Sequence, residues 1–187
     1  MTEKSLRPWN LIRRTELFSF PGRMRASVDH VRLPDGREIA DYLHLEMPPY
    51  VVMAAFTLDG RMLCERHYKH GIGRVALTLP AGTLEKNENP ADCARRELLE
   101  ETGYAGDDCQ QMFTSVMHAN AGGPDGTAFL INSCHKIQEP DTKDLEEIWV
   151  ELLTVDDVLG ALDNGEMPLM SDRAVVLQAL KEKGKLR

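Results

Sequence analysis

The stretch GTLEKNENPADCARRELLEETGY, Gly82 to Tyr104, decides how the rest of the chain is read. Asn89 is a good helix N-cap, Pro90 suits the first helical position and Gly103 suits the residue just past the end. The spacing therefore predicts a helix over residues 90–102. Near its C-terminus stand Glu97, Glu100 and Glu101, which at ~100° per residue share about one third of the helix circumference. Ala91, Ala94 and Leu98 form the adjoining apolar stripe, so these carboxylates border the buried side. Like charges at such spacings repel, and anions at a helix C-terminus oppose the macrodipole; each effect costs from a few tenths of a kcal/mol to about 1 kcal/mol. Local stability gives no reason for the arrangement. Two readings of the residues stay open: a site for a hard divalent cation, which prefers oxygen ligands, or a solvated acidic face with Arg95 and Arg96 as counterions.

Outward from this helix, strands precede and follow it, and two further helices come last. VALTLPAG, residues 75–82, is a short strand stopped by Pro80 and Gly82. Before it, VVMAAFTL (51–58) and RMLCERHY (61–68) flank Asp59-Gly60, a dipeptide favoured in tight hairpin turns. Between Met24 and Met47, two strands are expected around LPDGRE (33–38), whose Pro, Asp and Gly supply turn chemistry. Downstream, TAFLINSC (127–134) and IWVELL (148–153) read as strands. Thr154 and Asp157 form a capping-box pattern, and Ser171 is positioned to cap a last helix, DRAVVLQALKEK (172–183). The segment Gln110–Gly126, with HANAGGPDG at its end, reads as a loop.

Composition narrows the function classes. The chain has 187 residues, a hydrophobic content of 42% and a formal net charge of -8, which suits a soluble globular protein and argues against a general phosphate-backbone binder. No nucleic-acid partner is expected. The longest apolar run, Val51–Phe56, is far below the ~20 residues of a spanning helix, so no membrane partner is expected either. MTEKSLRPWNLIRRTELF at the N-terminus is charged throughout and lacks a signal-peptide core. Cys64, Cys93, Cys109 and Cys134 form no CxxC pair and read as reduced thiols, mostly small buried hydrophobes. Together these features point to a cytoplasmic protein.

The full spacing of the opening stretch goes further. From Gly82 there follow five residues, Glu88, seven residues, then Arg96-Glu97-Leu98-x-Glu100-Glu101-x-Gly103 and Tyr104. This resembles the Nudix box, GX5EX7REUXEEXGU, with Tyr104 at its last aliphatic position. LPDGREIADYLHLEMPPYVVMAAF (33–56), ERHYKHGIGRVALTLPAGTLEKNENP (65–90) and EETGY (100–104) are similar to the ADP-ribose pyrophosphatase-like, or ADP-sugar, branch of that family. The resemblance implies an α/β fold, the Nudix α/β/α sandwich with a mixed sheet. Residues 1–47 would form a small N-terminal antiparallel β subdomain that makes a homodimer, ahead of a Nudix domain over 48–187. It further implies hydrolysis of a small-molecule nucleoside diphosphate such as ADP-ribose or another nucleotide sugar, with Mg2+ or Mn2+ as cofactor.

Residue roles come with the resemblance. The backbone carbonyl of Ala81, with Glu97 and Glu101, matches metal-binding positions. Glu100 matches a further ligand or water-orienting group, and Arg96 holds a glutamate in place. Glu88 supports the loop or a second metal. Arg66, His67, Lys69 and Arg74 are candidates for phosphate or ribose contact, against a solvated strand end. The branch usually carries a glutamate in a loop after the box, and HANAGGPDGTAF (118–129) contains none. The catalytic base is therefore open among Asp125, His118 and Glu146, unless Glu100 itself orients the water. A Nudix-like ligand-binding or regulatory module with weak turnover is the competing class.

Overall fold

A continuous apolar run in a short strand implies burial on both faces, whereas alternation implies burial on one. Both patterns occur in the computed structural model, which describes residues 6–141 and 147–186. Its residues fall into two compact units, Met1–Pro48 with Val116–Asp125, and Pro49–Ser115 with Gly126–Arg187.

The first unit holds an antiparallel sheet of three strands, β1 (Asn10–Phe20), β2 (Met24–Arg32) and β3 (Glu38–Glu46), in that order. β2 and β3 are the pair expected around Pro34 and Gly36. β1 went unread, because NLIRRTELFSF shows no clean period of two and every residue in it is exposed. Arg14 on β1 grips the buried Asp29 of β2 through two hydrogen bonds of 2.7 and 2.8 Å, and this holds Asp29 below the usual carboxylate range. In the same unit, Leu45 of β3 donates its N–H to the carbonyl of Ala121 and bridges Gly122.

The second unit is a mixed sheet between helices. Its strands are β4 (Tyr50–Thr57), β5 (Met62–Lys69), β6 (Arg74–Thr78), β7 (Ala81–Thr83), β8 (Tyr104–Ala105), β9 (Asp108–Val116), β10 (Asp125–Lys136) and β11 (Trp149–Leu153). The central path is β11-β5-β4-β10-β8, with β4 and β10 parallel and the other neighbours on this path antiparallel. β6 pairs with β5, β7 with β4, and β9 with β10. Helix α1 (Pro90–Thr102) lies on one face; α2 (Val155–Asn164) and α3 (Met170–Glu182) lie on the other. Val51, Met53 and Ala55 of β4 join the core under α1, while Val52, Ala54 and Phe56 join the core under α2 and α3. That is the physical content of the run Val51–Phe56, and it makes the expected α/β/α sandwich.

Two expectations need correction. Gln110–Gly126 is not loop throughout: β9 runs to Val116, and its polar sequence DCQQMFTSV hid a strand that buries little. Ser171 does not cap the last helix. Leu169 occupies the cap without a side-chain bond, and the Ser171 hydroxyl donates instead to Asp172 at 3.0 Å. The Thr154–Asp157 capping box is formed in both directions.

Asp172 ties α3 to the sheet. It is 2% exposed and accepts the backbone N–H of Leu79 at 3.1 Å, at the end of the strand that leads to β7. Burial pushes its carboxyl up to about 6. Asp172→Ala is expected to cost about 1–3 kcal/mol in urea unfolding, because it leaves a buried N–H without an acceptor; Asp172→Asn keeps most of that bond. The raised carboxyl also makes the folded chain hold a proton that the unfolded chain releases between about 3.8 and about 6. Its contribution to stability therefore falls as pH rises through that window, and Asp172→Asn flattens that part of the pH profile.

Candidate active site

Helix α1 forms where the capping residues place it. The Asn89 side chain accepts from the Ala91 N–H at 2.9 Å, and Gly103, at φ 76°, returns its N–H to the Leu99 carbonyl. Only glycine fits this C-terminus, since a Cβ on Gly103 would lie 2.2 Å from the Gln138 carbonyl oxygen. Cys93, Ala94 and Leu98 are buried against β4 and β10, with Ala91 partly buried beside them. This leaves Glu97, Glu100 and Glu101 half-buried along the edge of the packed face.

Arg96 organises that edge. Its guanidinium donates to both oxygens of Glu88 at 2.8 and 2.9 Å, to Glu97 at 2.8 Å and to Glu100 at 3.2 Å. The paired fork pulls the Glu88 carboxyl down to about 2 and raises Arg96 further above its already high range. Glu97 moves the other way: burial raises it in spite of Arg96. Arg95, by contrast, bonds Asp92 at an exposed position, so the solvated-face reading describes Arg95 and not Arg96.

The neighbouring loop is shaped to the same carboxylates. A Cβ on Gly82 would fall 1.9 Å from the Glu97 carboxyl carbon, so any side chain there would displace Glu97. One residue earlier, the Ala81 N–H donates to Glu101 at 3.1 Å. β7 thus delivers its backbone directly to the glutamate edge of α1.

Sequence reasoning missed Glu65. On β5, Leu63 and Glu65 point to the same side, and Leu63 packs in the core beneath α1. Glu65 is 1% exposed and its carboxyl meets that of Glu101. Burial is the largest cause raising both groups, with mutual repulsion adding to it in Glu101. The signal was present in RMLCERHY, where a glutamate occupies the register of a buried leucine.

Among the described residues, no group of three or more His, Cys, Asp or Glu side chains is arranged as it stands to hold a metal ion. The bonds just described explain this: Arg96 engages Glu97 and Glu100, and the Ala81 N–H and Glu65 engage Glu101. The donor chemistry nevertheless fits a hard divalent cation, because several carboxylates meet at one edge and a buried oxygen of Glu65, Oε1, has no hydrogen-bond partner.

The basic candidates are placed unequally. Arg66 is held by two bonds to Glu151 and one to Glu166, bracing β5 against β11. Arg74 reaches the Gly165 carbonyl at 3.3 Å. His67 is buried beside Thr78 at 3.0 Å. Lys69 is half-buried, and its charge favours the ionised forms of Glu65 and Asp172. Arg66, Tyr68, His70, Val75 and Trp149 line a cavity of about 570 Å3, with Trp149 largely exposed. His118 and Asp125 are exposed residues of the first unit, and Glu146 lies outside the described residues.

The NUDIX domain matches residues 47–171. The chain belongs to the Nudix family. It is 30% identical over 148 residues to an ADP-ribose pyrophosphatase of Bacillus subtilis, covering 75% of this chain and 76% of that one. It is 36% identical over 109 residues to a methanol dehydrogenase activator of Bacillus methanolicus, covering 56% of this chain and 55% of the relative, so the match spans about half of that protein. A GDP-mannose pyrophosphatase of Yersinia pestis is 33% identical over 105 residues, covering 56% of this chain and 46% of the relative. Among solved structures, an ADP compounds hydrolase superposes with a TM-score of 0.79 at 16% identity, over 98% of this chain and 100% of that one, which shows the shared fold.

Arg96→Met is expected to destabilise the metal-free protein by about 3 kcal/mol, because Glu88 and Glu97, both largely buried, lose their counterion. The depressed Glu88 carboxyl contributes stability above about 4.5 that is lost as pH falls toward about 2. Denaturant unfolding across that range should show this acid-sensitive component in the wild type and its loss in Arg96→Met.

Proposed function

We propose that this Nudix protein hydrolyses the diphosphate of a nucleoside diphosphate linked to a sugar, with ADP-ribose the leading substrate. Water attacks one phosphorus, the bridging P–O bond breaks, and a nucleoside monophosphate and a sugar phosphate leave. The observation that carries this reading is the glutamate edge of α1, with Arg96 holding its carboxylates and the β7 backbone set against Glu101. The relatives named for ADP-ribose and GDP-mannose support the substrate class. The intact carboxylate set favours turnover over a pure binding or regulatory role.

Glu97, Glu101 and the Ala81 carbonyl would hold a divalent cation, Mg2+ or Mn2+, with Glu100 as a further ligand or as the group that orients the attacking water. When bound, such a cation neutralises charge on the diphosphate and lowers the pKa of water. Arg96 is a positioning residue. Its bonds to Glu97 and Glu100 set where those oxygens stand before substrate arrives. Arg66 is occupied by Glu151 and Glu166, which leaves Lys69 and Arg74, cross-strand neighbours on β5 and β6, as the basic candidates for phosphate contact. With Glu100 on the helix, no base from His118 or Asp125 is required.

We infer that residues 1–47 form a homodimer. β1 exposes Leu11, Ile12, Leu17, Phe18 and Phe20, an apolar content that an isolated edge strand does not carry without a partner. A cytoplasmic setting agrees with four free cysteines, and no described helix is long and apolar enough to cross a membrane.

In a hydrolysis panel of ADP-ribose, GDP-mannose and NADH, ADP-ribose turnover should be abolished by EDTA and restored by Mg2+ or Mn2+. Glu101→Gln should lose nearly all of that turnover while melting cooperatively; turnover equal to wild type would remove Glu101 from the mechanism. Light scattering should give twice the chain mass, and Leu17→Asp with Phe18→Asp should shift it toward the monomer. A wild-type monomer at micromolar concentration with full activity contradicts the dimer.

A further inference from the structure

Glu65 lies outside the Nudix box, yet it is the most deeply buried of the acidic side chains around α1. Its strand pairs with β6 on one side and β11 on the other, at Thr78 and Val150, so water does not reach it along the sheet. One oxygen, Oε1, is buried and has no hydrogen-bond partner; the carboxyl otherwise meets Glu101. A buried carboxyl oxygen without a donor is costly, and an apolar side chain at such a position is commonly neutral or stabilising. An apolar residue would pack at this position as Leu63 does two residues earlier. The Oε1 of Glu65 is therefore a cost to the fold where it stands, unless a ligand supplies it with a partner.

We propose that Glu65 is a further carboxylate of the cation site on α1, supplying its unpartnered oxygen to a divalent cation that it shares with Glu101. The inference rests on the metal-dependent reading above and deepens it. Glu65 meets Glu101 with one oxygen buried and unpartnered, and a divalent cation between the two carboxylates would give that oxygen a partner. Lys69, whose charge already favours ionised Glu65, is not placed to substitute for it, since Oε1 stays unpartnered with Lys69 present.

The test is Mn2+ binding to the full chain without substrate, followed by the spectroscopic signal of free Mn2+, for wild type, Glu65→Gln, Glu65→Val and Glu101→Gln. Glu65→Gln keeps the size of the side chain, and Glu65→Val fills a buried strand position with a strand-forming residue, so failure of one to fold leaves the other informative. Either Glu65 variant should bind Mn2+ at least about tenfold more weakly, or bind one ion fewer. Glu65→Val should in addition melt at or above the wild-type temperature in EDTA, and gain less than wild type when Mn2+ is added. Unchanged affinity and stoichiometry in a folded Glu65 variant overturns the proposal. If Glu101→Gln loses Mn2+ in that case, the metal-dependent reading stands and only the assignment of Glu65 falls. If the wild type binds no Mn2+, both fall.

Discussion

One guanidinium faces too many carboxylates. Arg96 bonds Glu88, Glu97 and Glu100, while Glu101 and Glu65 meet each other with the Ala81 N–H on Glu101 and the charge of Lys69 near Glu65. Buried like charges are tolerated only when protons or cations balance them. The fold leaves that imbalance in place at the edge of its best-packed helix. It is the feature that separates this edge from an ordinary charged surface, where each carboxylate could face water.

The rest of the second unit keeps the imbalance in position. α1 is pinned by Leu98 and Ala94 against β4 and β10, so its glutamates cannot swing outward without unpacking the core. On the opposite face, α3 reaches through Asp172 to Leu79, and the chain then passes through Pro80 to Ala81, whose N–H meets Glu101. A change at α3 therefore bears on the glutamate edge through three consecutive residues of backbone. Gly82 completes the fit from the loop side, since the Glu97 carboxyl fills the space that a side chain would take.

Much of this was legible in the sequence because its causes are local. Helix bounds followed from Asn89, Pro90 and Gly103, and the common face of Glu97, Glu100 and Glu101 followed from helical spacing alone. The sandwich itself came with the family resemblance, and the uninterrupted run Val51–Phe56, buried on both faces, agrees with it. What escaped depends on partners far along the chain. Glu65 is significant only through contact with Glu101, 36 positions later, and a lone glutamate in a strand looks solvent-facing until the register is known. β1 and β9 escaped because pairing, and not burial, makes them strands. Arg66 read as a candidate for phosphate or ribose contact or as part of a solvated strand end, and only the fold brings Glu151 and Glu166 to it.

The central claim is that the excess negative charge on α1 exists to hold a divalent cation. Its most direct measurement is anomalous diffraction from crystals soaked in Mn2+. The account predicts an anomalous peak within coordination distance of a Glu101 oxygen, with Glu97 turned toward the same peak. A peak only on surface carboxylates away from α1, or none in crystals that take up the ion, would contradict it.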